Sequence, residues 1–378
     1  MLAFTLAAAL LSMPAHAGGA LFDRVADTLS RQYYDRRFAR EVLPELVLEL
    51  RPAACAAKDL AAERNAVQVL LERVPSSHVA VLSKTTHAVM DADLDNVREP
   101  TLGLTLATHE RSYFVHGLAE GGPASRAGVL RGDRVVAIDG RTPSQSPRLD
   151  WRSDDAYLDD PPLHRVAVKR GDSVLLSIER TPDGPRTQIR VAASPYSSFD
   201  AAEASARAFE IGARRIAYVH FPILPHRGFP NLLRKLLADE FRACDALVLD
   251  LRGRGGSSAA ASALLDVLAG DAPAFDGPVV VLVDHGTRSA KELLAHDLQR
   301  AGRVTIVGER TAGAVLPASF VDVGSETVLM FPATTLDAYT DALEGKGVVP
   351  DVLVADELAF SAGRDAILAA GLKQLSAP

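Results

Sequence analysis

After position 18 the apolar side chains recur three and four residues apart, as in LFDRVADTLSRQYYD and LAAERNAVQVLLERV. That spacing lays an apolar stripe along a helix and predicts a helical segment over residues 19–83. Pro52, within RPAACAA, is expected to break it. Over 98–143 the pattern changes to short β-like runs separated by glycines, TLGLTLATHERSYFVHGLAEGGPASRAGVLRGDRVVAIDGR. SQSPRLDWRSDDAYLDDPP is polar and turn-rich and reads as a surface loop. HRVAVKRG and SVLLSIER follow as strands, and TPDGPRTQIRVAAS turns at Asp183-Gly184. From about 213 strands and helices alternate. RRIAYVHF, DALVLDLRG, GPVVVLVD and RVTIVGE are the strands, with FPNLLRKLLADEFRA, SSAAASALLDVLAG and RSAKELLAHDLQRAG as the helices between them. Such alternation predicts a largely parallel sheet whose functional residues gather at the carboxyl ends of its strands.

Composition adds bounds. A chain of 378 residues, 48% hydrophobic, is long enough for two or three domains. Residues 1–17, MLAFTLAAALLSMPAHA, hold no Asp, Glu, Lys or Arg, and their apolar run is too short to span a bilayer. Ala15-His16-Ala17 fits a cleavage site, so the expectation is a signal peptide, a mature start near Gly18, and a periplasmic or secreted protein. The basic n-region is missing, and a buried N-terminal helix is the alternative. The net charge of −7, with no basic block, argues against nucleic acid as a partner. Cys55 and Cys244 are too few for a disulfide framework; they pair in an oxidising compartment or stay as buried free thiols.

Candidate chemistry centres on VDHGTRSAKELL. Ser289-Ala-Lys-Glu292 fits the capping box S-x-x-E, which alone accounts for both residues. Ser289 also follows a buried strand at a helix start, where free N–H groups and the dipole favour an oxyanion. One crossover earlier, Gly253, Gly255 and Gly256 of DLRGRGGSS allow close backbone approach and inward N–H groups. The expected oxyanion donors are Ala290 with Gly255 or Gly256. No histidine pair has zinc-ligand spacing, so neither a metal nor another cofactor is expected.

These segments, with GERTAGAV and EGKGVVPDVLV, resemble the catalytic domain of the C-terminal-processing (tail-specific) serine peptidases, and TLGLTL…EGGPASRAGVLRGDRVVAIDGR resembles their PDZ domain. The resemblance implies a multidomain α/β protein: signal peptide 1–17, helical domain 18–83, β-rich PDZ domain 84–198, a crotonase/Clp-protease-like αβ catalytic domain 199–360, and a C-terminal helix or tail 361–378. It departs from the Ser–Lys enzymes at the lysine of their Gly-Lys-Gly turn, where this chain has Ala314; Lys291 lies on another helix face from Ser289. VPSSHVAVL and Leu343-Glu344-Gly345 are instead similar to the tricorn-type branch. Carried over, Ser289 is the nucleophile, His78 the base, Ser77 its orienting hydroxyl and Glu344 the charge behind Ser77. His285, four residues before Ser289, is the rival base. Leu102, Gly103 and Leu104 resemble the carboxylate-binding loop of a PDZ domain; a β-rich packing module without a ligand is the alternative. The implied function is a serine endopeptidase that captures unfolded polypeptides by their C-terminal segment, its oligomeric state left open. A catalytically inactive scaffold that binds peptides or an apolar ligand is the competing expectation.

Overall fold

The computed structural model describes residues 18–150 and 163–376. The expected signal peptide and residues 151–162 of the expected polar loop lie outside the described residues. The N-terminal part folds as α1 (Ala20–Gln32), α2 (Arg36–Glu41), α3 (Leu43–Cys55) and α4 (Leu60–Leu71). Their apolar stripes meet in one core that includes Phe22, Leu29, Leu46, Val67 and Leu70. Buried Glu63 on α4 accepts hydrogen bonds from Leu21 N (2.7 Å) and Phe22 N (3.2 Å), satisfying donors that the start of α1 leaves open. Pro52 does not break α3, which continues to Cys55. The carbonyl left unpaired by its missing N–H belongs to Leu48, a residue 80% exposed, so water can take that bond. Cys55 is exposed, Cys244 is half-buried, and both thiols are free.

Strand β1 (Ala80–Ser83) and α5 (Lys84–Leu94) follow. β2 (Glu99–Thr101) pairs with β10 (Ser194–Tyr196), joining the two ends of the next module. Within it lie β3 (Leu104–His109), β4 (Ser112–Leu118), the single turn α6 (Pro123–Arg126), β5 (Arg134–Ile138), β6 (Leu149–Asp150), β7 (Leu163–Val166), β8 (Ser173–Glu179) and β9 (Thr187–Ala192). They form one sheet in the order β6-β7-β3-β4-β5-β8-β9 over a core of alternating residues such as Leu104, Leu106, Val174, Leu176 and Ile178.

Helix α7 (Ser198–Ser205), which Ser197 and Asp200 cap reciprocally, leads into the α/β part. There β11 (Arg207–Ile211), β12 (Arg214–His220), β13 (Ala246–Asp250), β14 (Val279–Val283), β15 (Val304–Gly308) and β18 (Val352–Leu353) lie side by side in that order. All neighbours are parallel except β11 with β12. β13 and β14 are buried at every position, as a sheet covered on both faces requires. Leu247, Leu249, Val279, Val281 and Val283 pack under α8 (Gly228–Ala238), α9 (Ser258–Ala269) and α10 (Ala290–Arg300). The alternate residues Val248, Val280 and Leu282 face Ile367 and Leu375 of α12 (Ala366–Ser376).

Two features tie the parts together. The hairpin β16 (Ala318–Gly324) and β17 (Thr327–Pro332) leaves the α/β part and pairs with β1, sending Val323, Leu329 and Phe331 into the N-terminal core. α11 (Asp337–Leu343) then returns the chain to the sheet. Ahead of α12, residues 360–363 grip the β5 side of the β-rich module. Phe360 N and Gly363 N donate to Gly132 O and Arg131 O, and Phe360 packs edge-on against Phe114.

Leu329 is fully buried where hairpin and helices meet. Leu329→Ala should lower unfolding stability by about 2–5 kcal/mol, read from denaturant unfolding; a loss under about 1 kcal/mol would mean that this junction is not a shared core.

Candidate active site

Ser289 sits where β14 gives way to α10, with φ 54° and ψ −132°, on the positive-φ side that L-residues rarely enter. Its N–H donates to Ala314 O at 2.8 Å. The next residue, Val315, donates its N–H to Glu344 Oε2 at 3.0 Å. Glu344 is held at this place because turn 311–315 is zipped to loop 344–348: Thr311 N bonds Val348 O, Val348 N bonds Thr311 Oγ1, and Gly345 N bonds Gly313 O. Gly313 and Gly347, both at positive φ, leave no room there for a side chain.

The same Glu344 carboxylate takes two more bonds from the far end of the chain. Ser77 N donates to Oε1 at 2.8 Å and Ser77 Oγ to Oε2 at 3.2 Å. Ser77 Oγ also lies 3.0 Å from His78 Nδ1. His78 is buried and, like Ser289, has positive φ. Burial, and after it the charge of Arg288, pushes its pKa down to about 4. Arg288 immediately precedes Ser289, so the imidazole lies within electrostatic reach of the residue beside the serine. The Tyr33 hydroxyl donates to Ser76 Oγ at 2.9 Å, so the N-terminal helices brace this loop.

Gly255 backs directly onto Ser289: a Cβ built there would lie 2.9 Å from Ser289 Cβ. Gly256 lies against the Leu224 carbonyl. The bonds of this loop, Leu224 N to Gly255 O and Ser257 N to Leu224 O, use neither the Gly255 nor the Gly256 N–H. Ala290 is buried at the first position of α10. Gly253 departs from expectation, because its N–H is given to the Asp284 carboxylate (3.0 and 3.1 Å) rather than to the cleft. His285 is exposed, with its N–H donating to Glu309 Oε2 at 3.3 Å. Leu102–Leu104 stand in the β-rich module, outside this cluster. Among the described residues no group of three or more His, Cys, Asp and Glu side chains stands together as metal ligands do.

Residues 267–354 match peptidase family S41, and residues 114–150 match the PDZ domain. The chain carries an S41 peptidase segment and a PDZ domain. Over 261 residues it is 24% identical to a tail-specific protease of Haemophilus influenzae, a match covering 62% of this chain and 36% of that protein. The chain spans about a third to two thirds of the length of the first such curated relatives. Its fold is similar to the solved photosystem II D1 C-terminal processing protease, with a TM-score of 0.53 at 19% identity over 92% of this chain and 97% of that one. The solved tricorn protease is also similar in fold, with a TM-score of 0.53 at 15% identity, covering 95% of this chain and 36% of that one.

Within the S41 segment, sequence reasoning underestimated three residues. Glu292, read as half of a capping box, is fully buried and accepts from Ser289 N (3.2 Å), Gly313 N (2.7 Å), Ala314 N (2.8 Å) and Thr311 Oγ1. Burial raises its pKa against the pull of those bonds. The S-x-x-E spacing was a signal for its bond to Ser289 and none for the other three. Lys291 is fully buried with Nζ on the carbonyls of Phe221 (2.5 Å), Leu251 (3.1 Å) and Arg252 (3.3 Å), and desolvation pushes its pKa down to about 7. It ties α10 to the ends of two strands. Arg288 carried no sequence signal, since only the fold brings it to His78.

A glutamine at 292 would turn an amide group toward backbone N–H donors. Glu292→Gln should therefore cost about 1–3 kcal/mol of unfolding stability at neutral pH. Unchanged urea unfolding would mean that the carboxylate does not hold these donors together.

Proposed function

We propose that the chain is a serine endopeptidase, periplasmic or secreted, that cleaves unfolded polypeptides through an acyl-enzyme on Ser289, with His78 as base. It would draw its substrates by a C-terminal segment through the PDZ domain. The observation that carries this reading is the relay Glu344–Ser77–His78, tied through Val315 and its neighbour Ala314 to a serine held at positive φ. Ser77 has one hydroxyl proton and directs it at Glu344, so its oxygen is left to accept from His78 Nδ1–H. That assigns the neutral tautomer with a lone pair on Nε2, the form a base needs.

In this scheme His78 takes the Ser289 proton as Oγ attacks a peptide carbonyl, then returns it to the leaving amine; water hydrolyses the ester. The N–H groups of Ala290 and of Gly255 or Gly256 hold the oxyanion, and losing one such donor costs about 2.7–4 kcal/mol of transition-state stabilisation. The closeness of Gly255 to Ser289 supports this role. Ala314, at the lysine position of the Ser–Lys enzymes, bonds the serine through its backbone alone.

A fluorophosphonate probe should label the wild-type chain and leave Ser289→Ala unlabelled. Equal labelling of both, or none of the wild type at neutral pH, would return the inactive-scaffold reading. His78→Ala should lower casein cleavage by about 10²–10⁴-fold; activity surviving it would point to His285.

The pH profile carries a second test. The base form of His78 exists above a pKa of about 4, so the acid limb of kcat/KM should fall near pH 4 rather than near the ordinary histidine value. Arg288→Gln should move that limb upward only part of the way, because burial is the larger cause of the shift. An acid limb already near 6.5 in wild type would remove His78 from the base role.

A further inference from the structure

Strand addition to a PDZ domain needs a free edge on the strand that follows the carboxylate loop. In this chain that strand is β3, and both its edges are taken. β4 pairs on one side. On the other, β7 runs antiparallel with Thr105 opposite Arg165, Leu106 opposite His164 and Ala107 opposite Leu163. Its own outer edge is covered in turn by β6.

The polarity of β7 is that of a captured tail. Its chain runs from Ala107 back toward the loop, so Val166 follows one position beyond the Thr105–Arg165 pair. Val166 is buried in the same core as Leu102, Leu104 and Leu106, where the last apolar side chain of a tail would anchor. The chain then continues instead of ending in a carboxylate, with Ala167 N donating to Arg148 O at 2.7 Å. The loop itself has spent one donor, since Gly103 N–H is bonded to Thr101 Oγ1 at 2.9 Å.

We propose that β7 is a built-in strand ligand that competes with substrate tails for the edge of β3. The proposal rests on the tail-capturing peptidase reading and deepens it: a tail gains the groove only by displacing residues 163–166. An occupant tethered within the same domain has an effective concentration on the order of millimolar, which sets what a tail must overcome.

The test uses the whole Ser289→Ala chain, which reports binding without catalysis. The probe is a fluorescent peptide ending in the strand's own sequence, Leu-His-Arg-Val, with a free carboxylate. Successive strand N–H groups face opposite edges, so His164→Pro/Arg165→Pro removes at least one donor toward β3 whichever parity pairs. This variant should bind the peptide at least about tenfold more tightly than its parent, and amidation of the peptide terminus should weaken that binding. Equal affinity in parent and variant would overturn the proposal. So would binding to neither, which would make β7 an edge protector only. Should the variant not fold, hydrogen exchange on the parent decides. The amides of Thr105–Ala107 should be protected before peptide is added, and unprotected amides there overturn the proposal. A chain that fails fluorophosphonate labelling but passes the binding test loses the peptidase reading alone.

Discussion

One carboxylate closes the site. Glu344 accepts from Ser77, 267 residues away in sequence, and from Val315, whose neighbour Ala314 accepts the N–H of Ser289. With both of its oxygens engaged, the loop carrying His78 and the turn beside the serine are held against one another. Even a half-buried carboxylate left without these donors would be costly, so the bonds act as a constraint on both loops rather than as decoration. Gly347 follows from it, because a Cβ there would run into the Thr311 carbonyl of turn 311–315.

A second layer of buried charge holds the serine loop from beneath. Glu292 collects the N–H groups of turn 313–314 and of Ser289, while Lys291 collects carbonyls at the ends of the neighbouring strands. Next to them buried Asp250 binds Tyr218 and Arg252, and Arg252 reaches Asp365 at the head of α12. Burial alone would drive Asp250 toward its neutral form, but the Arg252 guanidinium and His220 together outweigh it and hold the carboxyl far below its ordinary range. Interlocked bonds of this kind are what let Ser289 and His78 keep a backbone conformation that costs about 1–3 kcal/mol each.

The same interlocking joins the modules. His220, at the carboxyl end of β12, bonds Glu120 of the PDZ domain at 3.0 Å, and the two carboxylates Glu120 and Asp250 raise its pKa although burial works against its charge. The S41 core lends a hairpin to the N-terminal helices, which in turn brace the loop of Ser77 and His78. The N-terminal helices are thus part of the site's support, not an appendage.

Much of this was legible in the amino-acid pattern. Alternation of strand and helix after residue 213 predicted a parallel sheet, helical spacing of apolar residues marked the N-terminal helices, and short β-like runs between glycines marked the PDZ strands. The S-S-H and L-E-G motifs marked Ser77, His78 and Glu344 through resemblance, while the glycines of DLRGRGGSS marked Gly255 and Gly256 as backbone donors. What local pattern could not carry was everything that depends on approach between distant segments. The continuation of α3 through Pro52 went with an exposed position at Leu48, and the reach of Arg288 to His78 with the packing of two loops. The four bonds of Glu292 and the filling of the β3 edge by β7 were likewise set by tertiary packing. The sequence by itself determined the elements and the chemical groups on them; only the tertiary structure decided which groups share a proton or a charge, since these interactions act over a few ångströms of space and take no account of distance along the chain.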